Sequence, residues 1–163
     1  MNSGPARLEP VLWAPMQFGS LWGPVVVGAG LWRLARNPRM AVGIFATGLV
    51  SWQLAKVVKN QVKRGRPFHE LDEISHRMGT PYDGLGYVSG HTAVAAAMTT
   101  ALWPSLTRRG RVLATVLTAL VAYGRINVSA HLPVDLVGGA ALGVAVGTGW
   151  QMANGKDNAT AEN

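Results

Sequence analysis

Five stretches of the chain contain no Asp, Glu, Lys or Arg: between Glu9 and Arg33, Arg39 and Lys56, Asp83 and Arg108, Arg111 and Arg125, and Asp135 and Lys156. A bilayer core of about 30 Å takes about 20 helical residues to cross. The first, third and fifth stretches reach that length unaided. The second does so once Lys56 snorkels from a helix end, and the fourth needs its continuation through Arg125 to Ala130. The pattern therefore predicts five spanning helices at about 11–32, 40–58, 91–106, 111–127 and 133–151. The expected architecture is an all-α integral membrane bundle, one domain over residues 1–153. A disordered polar tail, Asn154–Asn163 (NGKDNATAEN), should follow it.

The same segments are rich in Gly, Ala, Ser and Thr, which let helices approach closely in lipid, as along Gly138–Gly149. A soluble bundle would carry charge on its outer helical faces, and these stretches do not. The first segment is the least regular. Pro15 and Pro24 should kink it or make it partly re-entrant. Read as a secretory signal it lacks a strongly basic start, since Glu9 offsets Arg7, and it has no clear small-residue cleavage site.

Composition changes the picture only in detail. Charged residues make up 14% of the chain and hydrophobic ones 48%, with 15 Lys+Arg against 8 Asp+Glu and no cysteine. The missing cysteines exclude disulfide scaffolds, thiolate metal sites and thiol nucleophiles. A net charge of +7 would suggest nucleic acid in a polar protein. In one so apolar it suggests basic loops beside a bilayer, and no nucleic-acid partner is expected. The compact connections RLARNPR (33–39) and TRRGR (107–111) hold three arginines each, which by charge density assigns them to the cytoplasm. The long 59–90 connection and the 125–135 turn then lie outside.

Three polar clusters fall on that outer side, each at a helix end: KNQVKRGRP (59–67), VSGH (88–91) and GRINVSAHLPVD (124–135). Crossings separate them so that all return to one face. Lys59, Arg66 and Arg125 supply cations, two of them planar forks that match phosphate oxygens. Ser89 and Gly90 open a helix, whose N–H groups and dipole make a seat for an anion. His91 and His131 have ordinary pKa values suited to proton transfer near neutrality. Asp135 lies four residues after His131, where its carboxylate can orient the imidazole and leave the other ring nitrogen free to attack. Cations, an anion seat, an oriented His and a second His describe phosphoryl transfer through a phosphohistidine.

Lys-x6-Arg-Pro, then Ser-Gly-His, then Arg-x5-His-x3-Asp resembles the signature of the type 2 phosphatidic acid phosphatase (PAP2) superfamily over roughly residues 40–150. That superfamily includes bacterial lipid phosphatases, soluble acid phosphatases and vanadium haloperoxidases. The resemblance implies a PAP2/haloperoxidase-like core and phosphate binding by Lys59, Arg66, Ser89, Gly90 and Arg125. It implies His91 as the acid that protonates the leaving oxygen, His131 as nucleophile and Asp135 as its orienting partner, with no metal or other cofactor. Val88 stands where the family commonly has Pro, and Gly124 where it commonly has Ser, losing a hydroxyl near the phosphate. The chain also has one predicted helix fewer than the six common in membrane members, the missing one being N-terminal.

Other side chains receive plainer readings. Lys63 and Arg64 are taken as solvated charges facing lipid headgroups, and the six tryptophans as interface anchors or lipid-facing packing. His69 and His76 with Asp72 or Glu73 lack a standard zinc spacing. The expected function is hydrolysis of a lipid phosphate or diphosphate at the outer leaflet of the cell membrane, with Glu70–Gly86 selecting the headgroup. Polyprenyl diphosphate of the undecaprenyl type, phosphatidic acid and phosphatidylglycerol phosphate are open as substrates. The alternative is a non-catalytic headgroup-binding or scaffold protein, which has no need of both His residues or of Asp135. A haloperoxidase suits a short membrane chain less well. The sequence does not address oligomeric state.

Overall fold

The structure, a computed structural model, describes residues 9–67 and 84–161. Among them six α-helices occur in the order α1 (Glu9–Phe18), α2 (Trp22–Arg33), α3 (Pro38–Val62), α4 (Gly90–Leu102), α5 (Arg108–Asn127) and α6 (Pro133–Ala161). A short 3-10 turn, Trp103–Ser105, extends α4. No strand occurs among the described residues.

Local sequence explains the helix starts. Asn37 caps α3 by accepting the Met40 N–H at 3.0 Å, with Pro38 in the first turn where its missing N–H costs nothing. Ser89 caps α4, and Thr107 caps α5 by accepting the Gly110 N–H at 3.2 Å. Helix α3 ends at Lys63, whose left-handed backbone returns its N–H to the Lys59 carbonyl at 2.8 Å.

Helix α4 is the axis of the bundle. Every residue from Thr92 to Thr99 is buried, because α3, α5 and α6 all pack against it. Contact with α6 is close because of glycine. A Cβ on Gly143 would come within 2.2 Å of the Ala93 carbonyl oxygen, and one on Gly139 within 2.4 Å of that of Ser89. The interior of α3 likewise uses small residues with one larger insert, Ala41, Ile44, Gly48, Ser51 and Ala55, while Val42, Phe45, Leu49, Leu54 and Val57 point outward and exposed. Small inside and large apolar outside is the arrangement expected of a bundle solvated by lipid. Helices α3 (Pro38–Val62) and α6 (over Pro133–Asn154) are long and apolar enough to cross a membrane.

The first predicted span is corrected. Residues 11–32 form two helices, and at about 1.5 Å per residue neither the 10-residue α1 nor the 12-residue α2 crosses about 30 Å alone. The break falls at Gly19–Leu21 rather than at a proline: Pro15 lies inside α1 and Pro24 in the first turn of α2. Ser20 closes the turn by donating its hydroxyl to the Gln17 carbonyl at 2.7 Å. A Cβ on Gly19 would lie 2.5 Å from the His91 carbonyl oxygen and 2.6 Å from Val121 Cγ1, so the break seats directly on the start of α4. At the other end of the chain α6 continues to Ala161, past Asn154, where the sequence suggests a disordered tail. Arg39 Nε donates to Asn154 Oδ1 at 2.8 Å, joining the start of α3 to this end of α6.

Candidate functional site

The C-terminal ends of α3 and α5 and the N-terminal ends of α4 and α6 meet at one end of the bundle, and a cavity of about 280 Å³ opens among them. Lys59, Arg66, Gly90, His91, Arg125 and His131 all line it, together with Trp52, Ala55, Lys56, Gly84 and Leu85. Six of the eight residues singled out by motif spacing therefore share one cavity. Among the described lining residues there is no carboxylate.

The cations are held from behind. Lys59 Nζ donates to the Leu85 carbonyl at 3.0 Å, and Arg66 Nη1 donates to the Ala130 carbonyl at 3.1 Å. Arg66 is 7% exposed, its Nε buried with no partner among the described residues. Burial pulls its pKa below the ordinary arginine value, against the opposing attraction of Asp135. Arg125 is 5% exposed, in the last turn of α5. These groups gather positive charge around one cavity, an arrangement that suits an anion.

The two remaining predicted residues stand just behind the lining. Ser89 is fully buried, and its hydroxyl oxygen accepts from Thr92 N–H at 3.4 Å and from Thr92 Oγ1 at 3.1 Å. Its part is to start α4, which puts Gly90, His91 and the positive end of the helix dipole at the cavity. Its own N–H donates to the Asp135 carbonyl at 2.9 Å, tying the start of α4 to the start of α6.

Asp135 is fully buried behind His131. Its Oδ2 accepts the Leu132 N–H at 2.9 Å and lies 3.4 Å from His131 Nδ1. Oδ1 pairs with the Arg64 guanidinium. This corrects the reading of Arg64 as a headgroup-facing charge. Its carbonyl also accepts the Gly86 N–H at 2.8 Å, so Arg64 joins the end of the α3 loop to both the segment before α4 and the carboxylate of α6. Lys63, by contrast, is exposed.

His131 lies in the turn between α5 and α6, 2% exposed. Burial pushes its pKa down to about 4; the Asp135 hydrogen bond opposes this, and the nearby Arg125, Lys59 and Arg66 charges add to it. The imidazole is thus neutral near pH 7. With Nδ1 turned to the carboxylate, Nε2 is the nitrogen left to act as a nucleophile.

Two departures from the family pattern fall away from the cavity. A Cβ on Gly124 would meet Met16 Cγ at 2.7 Å, so this position faces α1 and the glycine admits that helix. Val88 is buried, and a Cβ on Gly138 of α6 would come within 2.8 Å of its Cγ1. The tryptophans divide as well. Trp13, Trp22, Trp32 and Trp103 are exposed, whereas Trp150 packs on Gly43 and Trp52 lines the cavity. His69, Asp72, Glu73 and His76, and most of the Glu70–Gly86 segment, lie outside the described residues. Among the described residues no three His, Asp or Glu side chains group as metal ligands.

Comparison with known proteins gives the family and the fold. The model of the PAP2 superfamily matches residues 39–157. No curated protein matches the sequence significantly. Two solved structures share the fold. One is the first transmembrane PAP2 type phosphatidylglycerolphosphate phosphatase from Bacillus subtilis, with a TM-score of 0.76 and 20% identity, covering 94% of this chain and 80% of that one. The other is Aquifex aeolicus LpxE, with a TM-score of 0.82 and 19% identity, covering 93% of this chain and 89% of that one.

Proposed function

Because this chain belongs to the PAP2 superfamily, we propose that it is a membrane phosphatase that hydrolyses a lipid phosphate or diphosphate through a phosphohistidine. The observation that carries this reading is the convergence of Lys59, Arg66, His91, Arg125 and His131 on one cavity, with Asp135 behind His131. Lys59, Arg66, Arg125 and the start of α4 hold the phosphate oxygens and stabilise charge as it spreads over them. His131 Nε2 attacks phosphorus, and Asp135 stabilises the imidazolium that forms. His91 protonates the departing oxygen; water then attacks the phosphohistidine and frees His131. The scheme uses these side chains, the start of α4 and water, and calls on no metal.

The compact arginine loops lie at the end of the bundle opposite the cavity. Their charge density favours the cytoplasm for that end and so the outer leaflet for the site. The hydrocarbon chain of the substrate stays among the exposed apolar side chains while its headgroup enters the cavity. Phosphatidylglycerol phosphate belongs in the substrate panel because one structural neighbour acts on it; phosphatidic acid and undecaprenyl diphosphate complete it. Detergent-purified protein should release phosphate from at least one of these, and His131→Ala and His91→Ala should each abolish or nearly abolish release while the variants stay folded. Full activity in folded His131→Ala would refute the mechanism. Release by neither wild type nor variants would leave a headgroup-binding protein.

A further inference from the structure

The cavity holds one more cation than a single phosphate calls for. Trp52, Lys56 and Lys59 follow one another along one face of α3, and all three line the cavity. Lys56 Nζ sits 3.5 Å from the centroid of the Trp52 ring, a cation–π contact that holds the ammonium at the wall. Lys56 lies one turn below Lys59, about 4.5 Å nearer the middle of the bundle, on the side from which a lipid chain must reach the site. Four cations (Lys56, Lys59, Arg66 and Arg125) thus line a space with no described carboxylate in its wall. A phosphate monoester carries at most about two negative charges near neutrality; a diphosphate ester adds another. The volume of about 280 Å³ would hold about nine waters at about 30 Å³ each, against the five heavy atoms of one phosphate.

We propose that Lys56, held on Trp52, forms a subsite for a second phosphate, which makes a lipid diphosphate the preferred substrate class. The inference rests on the phosphatase reading above. The terminal phosphate occupies the seat of Lys59, Arg66 and Arg125, and the phosphate bonded to the lipid lies against Lys56. His131 Nε2 forms a bond to the terminal phosphorus as the bond from phosphorus to the bridging oxygen breaks. The electron pair stays on that oxygen, now part of a lipid monophosphate. His91 gives its proton to that oxygen as it departs, as in the reading above, and the nearby Lys56 ammonium stabilises the remaining charge on the lipid monophosphate. Water then attacks the phosphohistidine, releasing inorganic phosphate and the free imidazole.

The test measures initial phosphate release from farnesyl diphosphate and farnesyl phosphate, which share one hydrocarbon chain, by detergent-purified wild type, Lys56→Gln and Lys56→Arg. Lys56 is exposed, so both substitutions leave the core packing untouched. Wild type should favour the diphosphate in kcat/KM. Lys56→Gln should lower the diphosphate-to-monophosphate ratio about tenfold, the low end for a contact to a charged group, and Lys56→Arg should largely restore it. A ratio unchanged in Lys56→Gln, or a wild type that prefers the monophosphate, overturns the subsite and leaves the phosphatase reading intact. Release from neither substrate by wild type overturns the subsite; the phosphatase reading falls only if the phosphatidic acid, phosphatidylglycerol phosphate and undecaprenyl diphosphate arms also release nothing.

Discussion

Replacing Arg64 with Gln should slow turnover without weakening substrate binding. Arg64 does not line the cavity; its guanidinium pairs with Asp135 Oδ1, and the other oxygen of that carboxylate serves His131 and the Leu132 N–H. In Arg64→Gln the carboxylate keeps Leu132 and His131 but loses its one cationic partner among the described residues and the contact that fixes its second oxygen. A hydrogen bond to a charged group is worth about 1.5–3 kcal/mol net. The Arg64 side chain is 24% exposed, so solvent screening favours the lower figure, about 1.5 kcal/mol. If that energy orients His131 in the transition state, the cost is about tenfold in kcat. KM should stay within about twofold. Arg64→Lys keeps the charge but not the fork and should fall between wild type and Gln. The assay is steady-state phosphate release by detergent-purified protein, with thermal unfolding and gel filtration to show that each variant is folded. A raised KM with unchanged kcat would put Arg64 on the substrate instead. Unchanged kinetics in a folded Arg64→Gln protein would refute the claim that this ion pair aims the nucleophile.

Three further outcomes are expected. Because His131 stays neutral in the folded protein down to about pH 4 while an unfolded His takes its proton near pH 6.5, the folded state loses stability as pH falls between those values. The loss is at most about 1.4 kcal/mol per pH unit. The melting temperature of wild type should fall across that interval more steeply than that of His131→Ala; parallel curves would show that His131 is not the group held neutral. Gly143→Ala places a Cβ 2.2 Å from the Ala93 carbonyl oxygen, a backbone atom that cannot move aside, and should cost about 1–3 kcal/mol in unfolding measurements. Gly30→Ala meets nothing within 4 Å on α2 and should be neutral or stabilising by up to about 1 kcal/mol; equal losses in the two variants would refute the packing argument.

The residues of the cavity were legible in the sequence because charge is expensive in a chain this apolar. Each Lys, Arg, His or Asp at the end of an uncharged stretch needs a reason to be there. Alternation of helix direction then brings every second helix end to one face, so Lys59, Arg66, His91, Arg125 and His131 meet whatever the details of packing. What each charge touches follows different rules. Arg64 falls between two motif residues and carries no spacing signal; only the path of the turn from Val128 to Leu132, which opens α6 with Asp135 in its first turn, delivers the carboxylate to it. Trp52 has the same local sequence context as an interface anchor, and only the packing of α3 against α4 turns it to the cavity. The broken first span has the same origin. Its two prolines are visible in the sequence, yet the break is at Gly19, where α1 and α2 must clear the His91 carbonyl. A helix start that carries a candidate proton donor is thus buttressed by a glycine about 70 positions away in the chain. Such a contact joins two segments, and a one-dimensional pattern of polarity records only what each segment is.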